Sequence, residues 1–562
     1  MTQTIDTQLG QYDAALRQTL TDMQESNIMQ RIWEHDYTVW VEDDPTEITN
    51  RLGWLRIMDA MLQDAERINR LKQAIQADGY THVLLLGMGG SSLAPEVFSL
   101  TFHDAKNRLW LEVLDSTHPD TVLAYNKQVD ISKTLFIVAT KSGGTAETLS
   151  AFKFFYNRAL KELGSKEAAG QHFVAITDPN SKLVDIAQQF QFRETFLNDP
   201  NIGGRYSVLS YFGLVPAALA GVDITRLLQS ASDATEHSHS INNDNHAALI
   251  GAAMGELAKV GRDKITFILS PAINNFGDWV EQLIAESTGK DGKGILPVVG
   301  ETVGSPDDYG DDRFFVYIRL SDDDTYTRQV NSLQAAGHPV ITITLEDRYE
   351  FGGQFFLWEM ATAIAGHLMG IHPFNQPNVE AAKNSARAKI QAYQETGKLE
   401  QLKPVLEADG IQVIGDIQAD SPTAALKVFL NKAETGAYIS IHAYVEPTEE
   451  TTKALQAFQT KLRDTSKLAT TIGYAPRFLH STGQLHKGDA GKGLFIQFTA
   501  DKPQDVDIPD EAGKDESAMT FGTLIDAQAL GDRQALLDTN RHVIRFHLSD
   551  TLSGIQSLSQ SL

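Results

Sequence analysis

The feature that most constrains the fold is a repeated alternation of short apolar runs and helix-like stretches between residues 81 and 199. Five runs in this part fit strands: THVLLLGMG, RLWLEVLDS, KTLFIVATKS, HFVAITDP and FRETFLND. Near-continuous apolar runs separated by helices are typical of a parallel sheet covered on both faces. A second series lies between residues 264 and 345: KITFILSP, RFFVYIRL and HPVITITL. The sequence therefore predicts an α/β protein with two doubly wound parallel-sheet units.

The rest of the chain adds helices before these units and a smaller α/β region after them. Helical patterns cover residues 353–370 and 378–395, and a third strand series reads AYISIHAYV, GLFIQFTA and HVIRFHL. The tail also shows helical patterns at 450–466 and 521–540. We therefore expect five parts: an N-terminal helical segment (1–75), a first domain (76–215), a second domain (216–395), a helical connection (396–436) and a C-terminal α/β region (437–562).

Composition excludes several classes of function. The formal charge of −25 argues against nucleic acid or an anionic membrane as partner, because both attract basic surfaces. The chain has no cysteine, which excludes disulfides and thiolate sites and fits a reducing compartment. We find no signal peptide and no apolar run near the roughly 20 residues of a membrane span. A cytoplasmic protein is expected. His237, His239 and His246 stand in a polar connection, and we predict no metal site there.

The first glycine-rich turn, GMGGSS at residues 87–92, follows a buried-type strand and precedes a helix. Glycines such as Gly90 let backbone amides approach an anion at a helix N-terminus. A dinucleotide-binding turn is one interpretation, supported by Asp115 at the end of the next strand but opposed by serine at position 92. A tight turn without a ligand is the other alternative.

The second turn, TKSGGTAET at residues 140–148, ends another strand and begins another helix. Its hydroxyls, glycines and Lys141 lie where amides and the helix dipole favour an anion, which is the chemistry of a phosphomonoester site. A nicotinamide enzyme needs no second site of this kind. The two turns together therefore favour a sugar phosphate over a dinucleotide.

Both turns resemble those of the sugar-isomerase (SIS) fold, and three further motifs resemble signatures of the phosphoglucose isomerase family. These are GGRYSVLS (203–210), QLIAESTGK (282–290) and IHPFNQPNVEAAK (371–383), in the family's order. The resemblance covers about residues 50–390. We expect the isomerase part of fused transaldolase–isomerase chains to be the closest relatives. The resemblance implies a glucose-6-phosphate isomerase that needs no cofactor and whose partner is a small sugar phosphate.

The resemblance also assigns roles to individual residues. It implies that Glu286 carries the proton between C2 and C1, that Arg205 stabilises the enediolate, and that Lys383 helps to open the sugar ring. Gln282 and Glu286 are one helical turn apart, so they share a face. The residues that would bind the substrate phosphate are Ser91, Lys141, Ser142, Thr145, Thr148, Gln282 and Gln376. His372 stands where an asparagine is expected, and we favour a turn-capping role for it.

The family also needs a ring-opening histidine a few dozen residues after the glutamate motif, where this chain has none. LHSTGQLHKG (479–488) supplies two candidates in the tail, and we prefer His480 over His486. In the family this histidine comes from the neighbouring subunit of a dimer. The protein is therefore expected to be a homodimer, or a monomer whose tail takes the place of the partner.

Two alternatives to this function stay open at this point. A dual enzyme would also accept mannose 6-phosphate, and a non-catalytic sensor would bind a phosphosugar on the same fold. The sensor predicts loss of the base, whereas Glu286 is present.

Overall fold

The structure is a computed structural model that describes residues 3–242 and 245–562. Three sheets, each largely parallel, are covered by helices, and each sheet belongs to one stretch of the chain apart from one N-terminal strand. The predicted fold class, two doubly wound units plus a C-terminal α/β region, is confirmed. Across the described residues, no helix is both long enough and apolar enough to cross a bilayer.

The N-terminal segment is helical as expected, except for one strand. Its elements are β1 Thr4–Gln8, α1 Asp13–Glu25, α2 Ile28–Trp33 and α3 Ile57–Ala77. The strand β1 lies antiparallel along the edge of the second sheet, with Ile5 opposite Ile343. A five-residue edge strand containing Asp6 and two threonines carries too weak an apolar pattern to be read from the sequence.

The first unit is an all-parallel five-stranded sheet in the order β3-β2-β4-β5-β6. Its strands are β2 His82–Gly87, β3 Trp110–Leu114, β4 Thr134–Ala139, β5 Phe173–Thr177 and β6 Glu194–Leu197. Its helices are α4 Leu93–Thr101, α5 Pro119–Gln128, α6 Ala146–Leu163, α7 Lys166–Gly170, α8 Lys182–Gln189 and α9 Tyr211–Leu219. All six residues of β4 are buried, as expected for a central strand with helices on both faces.

The second unit is a five-stranded sheet in the order β1-β10-β9-β7-β8, parallel except for β1. Its own strands are β7 Lys264–Leu269, β8 Leu296–Val298, β9 Arg313–Leu320 and β10 Val340–Leu345. Its helices are α10 Ile224–Glu236, α11 His246–Lys259, α12 Phe276–Thr288, α13 Thr327–Ala335 and α14 Phe351–Met369. One continuous apolar core joins this unit to the N-terminal helices, for example through Trp54 against Phe356.

The C-terminal region contains a six-stranded sheet in the order β11-β12-β18-β15-β13-β14, so its sheet is no smaller than the other two. The strands of this sheet are β11 Leu406–Ala408, β12 Ile411–Ile414, β13 Tyr438–Tyr444, β14 Ala469–Tyr474, β15 Gly493–Ala500 and β18 His542–Leu548. A separate two-stranded sheet is formed by β16 Asp507–Ile508 and β17 Met519–Thr520. The helices are α15 Val379–Thr396, α16 Pro422–Leu430, α17 Glu449–Ser466, α18 Gly483–Gly488, α19 Phe521–Asp538 and α20 Thr551–Gln560. The sequence predicts α15 as the end of the second domain, but in the structure it packs against α19. This sheet has an apolar core of its own.

Residues 396–436 differ from the helical connection that the sequence predicted. They hold β11 and β12 as well as α16, and β12 lies antiparallel to β18. The two strands have three and four residues, so each is shorter than the window in which strand and helix periodicities separate. The connection therefore belongs to the third sheet.

Candidate active site

The first glycine-rich turn packs directly against the segment that carries Arg205. A Cβ atom built on Gly90 would lie 2.0 Å from the carbonyl oxygen of Gly204, so the contact requires glycine. Gly204 itself has open space around its own Cβ position. This close approach places the turn at the end of β2 beside the short 3-10 helix Gly204–Tyr206.

Arg205 is buried and its guanidinium is held on several sides. Its Nε donates to Ser287 Oγ at 2.7 Å, and its two terminal nitrogens donate to the carbonyl of Pro373 at 2.7 Å and to Gln376 Oε1 at 3.0 Å. The same guanidinium lies 3.1 Å from Glu286 Oε1. The sequence-predicted base and the sequence-predicted cation are therefore ion-paired, with the guanidinium in one fixed orientation.

Gln282 connects Glu286 to the histidine loop. Its Nε2 donates to Glu286 Oε2 at 3.0 Å, as their spacing on α12 predicted, and to the carbonyl of His480 at 2.8 Å. The Gln282 side chain is buried, yet its Oε1 has no hydrogen-bond partner among the described residues. A buried amide oxygen left without a donor is costly unless a ligand or water supplies one.

His480 reaches this site from the C-terminal region of the same chain. It ends the 3-10 helix Arg477–His480, and its Nε2 lies 2.8 Å from Glu147 Oε1 on the first turn of α6. Gln528 on α19 donates to the same carboxylate oxygen at 2.7 Å. Burial alone would raise the pKa of Glu147, but His480 and its hydrogen bond bring that pKa below its ordinary value. Glu147 is therefore held as a carboxylate against the imidazole.

The second turn presents hydroxyls at the start of α6. Thr145 is the N-cap residue, and its Oγ1 lies 2.9 Å from Thr140 Oγ1. Ser142 is exposed, and its Oγ accepts from the amide of Gly144 at 3.3 Å. Thr148 is buried, and its Oγ1 has no partner among the residues described.

Lys141, also predicted to bind phosphate, is engaged elsewhere. Its ammonium is ion-paired with Asp178 and donates to the carbonyl of Pro200 at 3.0 Å. The pKa of Asp178 is raised, chiefly by burial, although the ammonium opposes that shift. In this structure the turn therefore offers hydroxyls and amides rather than a free ammonium.

The remaining predicted residues differ in how close they come to this centre. Ser91 is buried in the first turn, and Gln376 accepts from Arg205 as described above. Lys383 is partly exposed on α15 and pairs with Glu380 of the same helix at 2.9 Å, while its charge also contributes to lowering the pKa of Glu147. His372 accepts from the amide of Phe374 at 3.1 Å, which is the turn-capping geometry.

His486, the second histidine candidate, lies away from the centre. It is buried inside the C-terminal region, with its Nε2 3.3 Å from Ser440 Oγ and its ring 4.8 Å from that of His442. Burial holds the pKa of His486 well below its ordinary value. The structure thus brings His480, not His486, to Glu147 and Gln282.

Asp115, which supported the dinucleotide interpretation, has another role in the structure. It is buried at the end of β3, where it accepts from Ser92 Oγ at 3.1 Å and pairs with Arg477 at 2.8 Å. Both of its oxygens are therefore used within the protein. A ribose-binding carboxylate would have to be free, so this geometry removes the support for a dinucleotide site.

Three residues of this centre were not singled out from the sequence: Glu147, Gln528 and Arg477. Glu147 did carry a signal, because a carboxylate in the first turn of a phosphate-binding helix repels the ligand unless a cation lies beside it. Gln528 and Arg477 carried none. They reach the centre only through the packing of the C-terminal region.

Comparisons with known proteins point to one family. The family model described as phosphoglucose isomerase matches residues 56–297. A glucose-6-phosphate isomerase of Rubrobacter xylanophilus is 30% identical over 383 residues, which are 59% of this chain and 86% of that protein. One from Lactococcus lactis is 28% identical over 393 residues, covering 60% of this chain and 87% of that protein.

Two solved structures share the fold. A hypothetical protein from Thermus thermophilus matches with a TM-score of 0.59 and 22% identity, covering 69% of this chain and 100% of that one. A glucose-6-phosphate isomerase from Chlamydia trachomatis matches with a TM-score of 0.58 and 18% identity, covering 70% of this chain and 89% of that one. At such identities these structures support the fold alone.

Proposed function

Because the chain belongs to the phosphoglucose isomerase family, we propose that it interconverts glucose 6-phosphate and fructose 6-phosphate without a cofactor. The observation that carries this proposal is the Glu286–Arg205 pair, 3.1 Å apart, with Gln282 joining it to His480. A base, a fixed cation and a histidine are the groups that aldose–ketose isomerisation requires.

In this proposal the substrate phosphate binds at the two glycine-rich turns. Ser142, Thr145 and the amides at the start of α6 would donate to it, together with Ser91 from the first turn. Thr148 and Gln282 each hold a buried polar atom without a partner among the described residues, and a bound ligand would satisfy such atoms. Lys141 would join the phosphate only by exchanging its pairing with Asp178.

Ring opening is assigned to His480. Its imidazole would move the proton between the C1 hydroxyl and the oxygen of the sugar ring. Glu147, 2.8 Å from His480 Nε2, would hold the imidazole in place. Lys383 would assist from α15, where its charge already influences Glu147. The product of this step is the open-chain aldehyde.

Isomerisation then falls to Glu286. Its carboxylate would take the hydrogen from C2 as a proton, leaving an enediolate, and return that proton to C1 as the hydroxyl proton shifts between O1 and O2. Arg205 would face the enediolate oxygen. Because its nitrogens are bonded to Ser287, Gln376 and Pro373, its charge needs no reorganisation as negative charge develops.

The proposal is tested by Glu286→Gln in an assay that couples glucose 6-phosphate formation from fructose 6-phosphate to its oxidation. Glutamine keeps the shape but cannot accept the proton, so kcat should fall by about 10³-fold with KM little changed. Wild-type protein without turnover, or a variant as fast as wild type, would refute the assignment. Mannose 6-phosphate in the same assay decides whether the activity is dual.

His480→Ala separates the two chemical steps. We expect turnover of the cyclic substrate to fall by about 10²-fold, because ring opening is then left to solution. Exchange of the C2 hydrogen of open-chain substrate with D2O, followed by NMR, should fall much less because Glu286 is intact. Equal losses in both measurements would contradict the ring-opening role.

A further inference from the structure

Besides the His480–Glu147 contact, one arginine attaches the histidine loop to the first unit. Arg477 begins the same 3-10 helix that His480 ends, so the two residues belong to a single short element. Its guanidinium donates to both oxygens of Glu96, at 2.6 and 2.8 Å, and to Asp115 Oδ1 at 3.0 Å, while its Nε lies 2.8 Å from Asp115 Oδ2. Two bidentate pairs on one guanidinium fix its plane as well as its position.

Asp115 links Arg477 to the first glycine-rich turn. It accepts from Ser92 Oγ at 3.1 Å, and Ser92 Oγ also lies 3.1 Å from the carbonyl of Gly89. At the other end of the short helix, a Cβ on Gly89 would lie 2.8 Å from the His480 carbonyl. The helix Arg477–His480 is therefore joined at both ends to the same turn, at residues 87–92. The His480 end contacts the turn directly, and the Arg477 end contacts it through Asp115.

Packing holds the middle of the loop, where Phe478 is buried against His442 and Tyr444, but the loop also borders a large cavity. A cavity of about 860 Å³ lies between the three units, and Arg477, Phe478 and Ser481 are part of its lining. A loop with empty space on one side has room to shift, and a displacement of about 1 Å can cost about 10²-fold in rate. The polar contacts of Arg477 then fix the end of the loop that borders the cavity, beside the packing of Phe478.

We infer that Arg477, clamped by Glu96 and Asp115, is a positioning residue that sets the place of His480 for ring opening. Arg477 acts through His480 and does not touch substrate. The inference rests on the proposed function, since it concerns the ring-opening step of that reaction. It assigns to the C-terminal region the task of aligning its histidine against the first unit.

A double-mutant cycle between Arg477→Met and His480→Ala tests this inference. Alone, Arg477→Met should lower kcat by about 10- to 100-fold with KM nearly unchanged. In the His480→Ala background it should change the residual turnover by no more than about twofold, because the group it positions is already gone. An additional loss as large as that in the wild-type background would overturn the inference.

Two further variants distinguish a misplaced His480 from a general loss of structure in the C-terminal region. Arg477→Lys keeps the charge but cannot form two bidentate pairs, so its kcat should fall between those of wild type and Arg477→Met. Arg463→Met is the matched control, because Arg463 is another arginine of the C-terminal region and bridges to Thr302 and Glu301 of the second unit. A fall in kcat as large for Arg463→Met as for Arg477→Met would overturn the inference.

One binding measurement and one replacement variant complete the test. Glucitol 6-phosphate, which cannot close a ring, should bind wild type and Arg477→Met with the same Kd, and a weaker Kd would show a collapsed site and overturn the inference. Should Arg477→Met fail to fold, Asp115→Asn replaces it in the same cycle. Wild-type protein without turnover refutes the proposed function, whereas an additive cycle in an active enzyme refutes only the positioning.

Discussion

At the scale of single residues, the site depends on one close backbone contact. Gly90 and Gly204 lie more than a hundred residues apart in the chain, and the first must be glycine for the second to approach. This contact determines how Arg205 stands relative to the first turn. The first turn and the segment that carries Arg205 therefore meet at a residue that has no side chain.

Gly90→Ala and Gly204→Ala form a matched pair for this claim. The added methyl group at Gly90 would meet the Gly204 carbonyl at 2.0 Å, whereas at Gly204 it would meet nothing within 4 Å. We expect Gly90→Ala to lower kcat/KM by about 10²-fold or more, because backbone must shift at the site. Gly204→Ala should stay near wild type, since its backbone conformation does not require glycine. Equal activities of the two variants in the coupled assay would contradict the role of this contact.

The residue scale also shows what sequence reasoning could and could not supply. The pairing of Gln282 with Glu286 followed from their spacing on one helix, and the structure shows it at 3.0 Å. The pairing of Lys141 with Asp178 spans 37 residues, and that of Glu147 with His480 spans 333. Local periodicity contains no information on such contacts, so they required the fold.

At the scale of elements, α12 carries both the proposed base and an acidic face directed to the cavity. Asp278 and Glu281 line this cavity with Glu96 and Asp115. Burial, and then the charge of Glu96, raise the pKa of Asp278 to about 7. Burial, and then the charge of Asp278, raise the pKa of Glu281 to about 8. These two carboxyls are therefore protonated at mildly acidic pH.

The raised pKa values of these two carboxyls predict that the free energy of unfolding decreases as pH rises. In the unfolded chain both groups ionise near pH 4, so the folded state binds more protons between about pH 4 and 8 and loses this contribution as pH rises. The double variant Asp278→Asn, Glu281→Gln should match wild type near pH 4. At about pH 9 it should be more stable by on the order of 1 kcal/mol per group, after allowing for solvent access.

Thermal denaturation across this pH range measures the effect. The difference in Tm between the double variant and wild type should widen between about pH 4 and 8 and then level off. Glu66→Gln serves as the control, because Glu66 is a well-exposed surface carboxylate whose loss should leave the pH profile of Tm unchanged. A constant difference at all pH values would show that the two carboxyls titrate normally.

Strand prediction at this scale succeeded where apolar runs are long. All six residues of β4 are buried, as are all eight of β15, and both were evident from the sequence. The short strands β1, β11 and β12 were not, since each lies at or near a sheet edge and mixes polar with apolar residues. β12 pairs locally with β11, but the other partner of β12, which is β18, and the partner of β1, which is β10, lie more than a hundred residues away. Only the assembled sheet reveals those two pairings.

At the scale of the whole molecule, one chain contains every group that the proposed reaction uses. Arg205 and Glu286 come from the first two units and His480 from the third, and the contacts Gln282–His480 and Glu147–His480 join all three. We propose that the C-terminal region replaces the neighbouring subunit from which the family's histidine comes. A monomer of 61.9 kDa would then be fully active.

Mixing two inactive variants distinguishes this arrangement from a shared site. If His480 entered the site of a neighbouring subunit, dimers formed from Glu286→Gln and His480→Ala chains would contain one intact site in each mixed pair and regain activity. If His480 acts in the site of its own chain, every site in the mixture lacks either Glu286 or His480. No mixing ratio then restores turnover. We expect no recovery after co-expression or after joint refolding, with specific activity of the wild type independent of protein concentration. Recovery toward half the wild-type rate per mixed dimer would show that the histidine crosses between subunits and that the C-terminal region does not replace the partner.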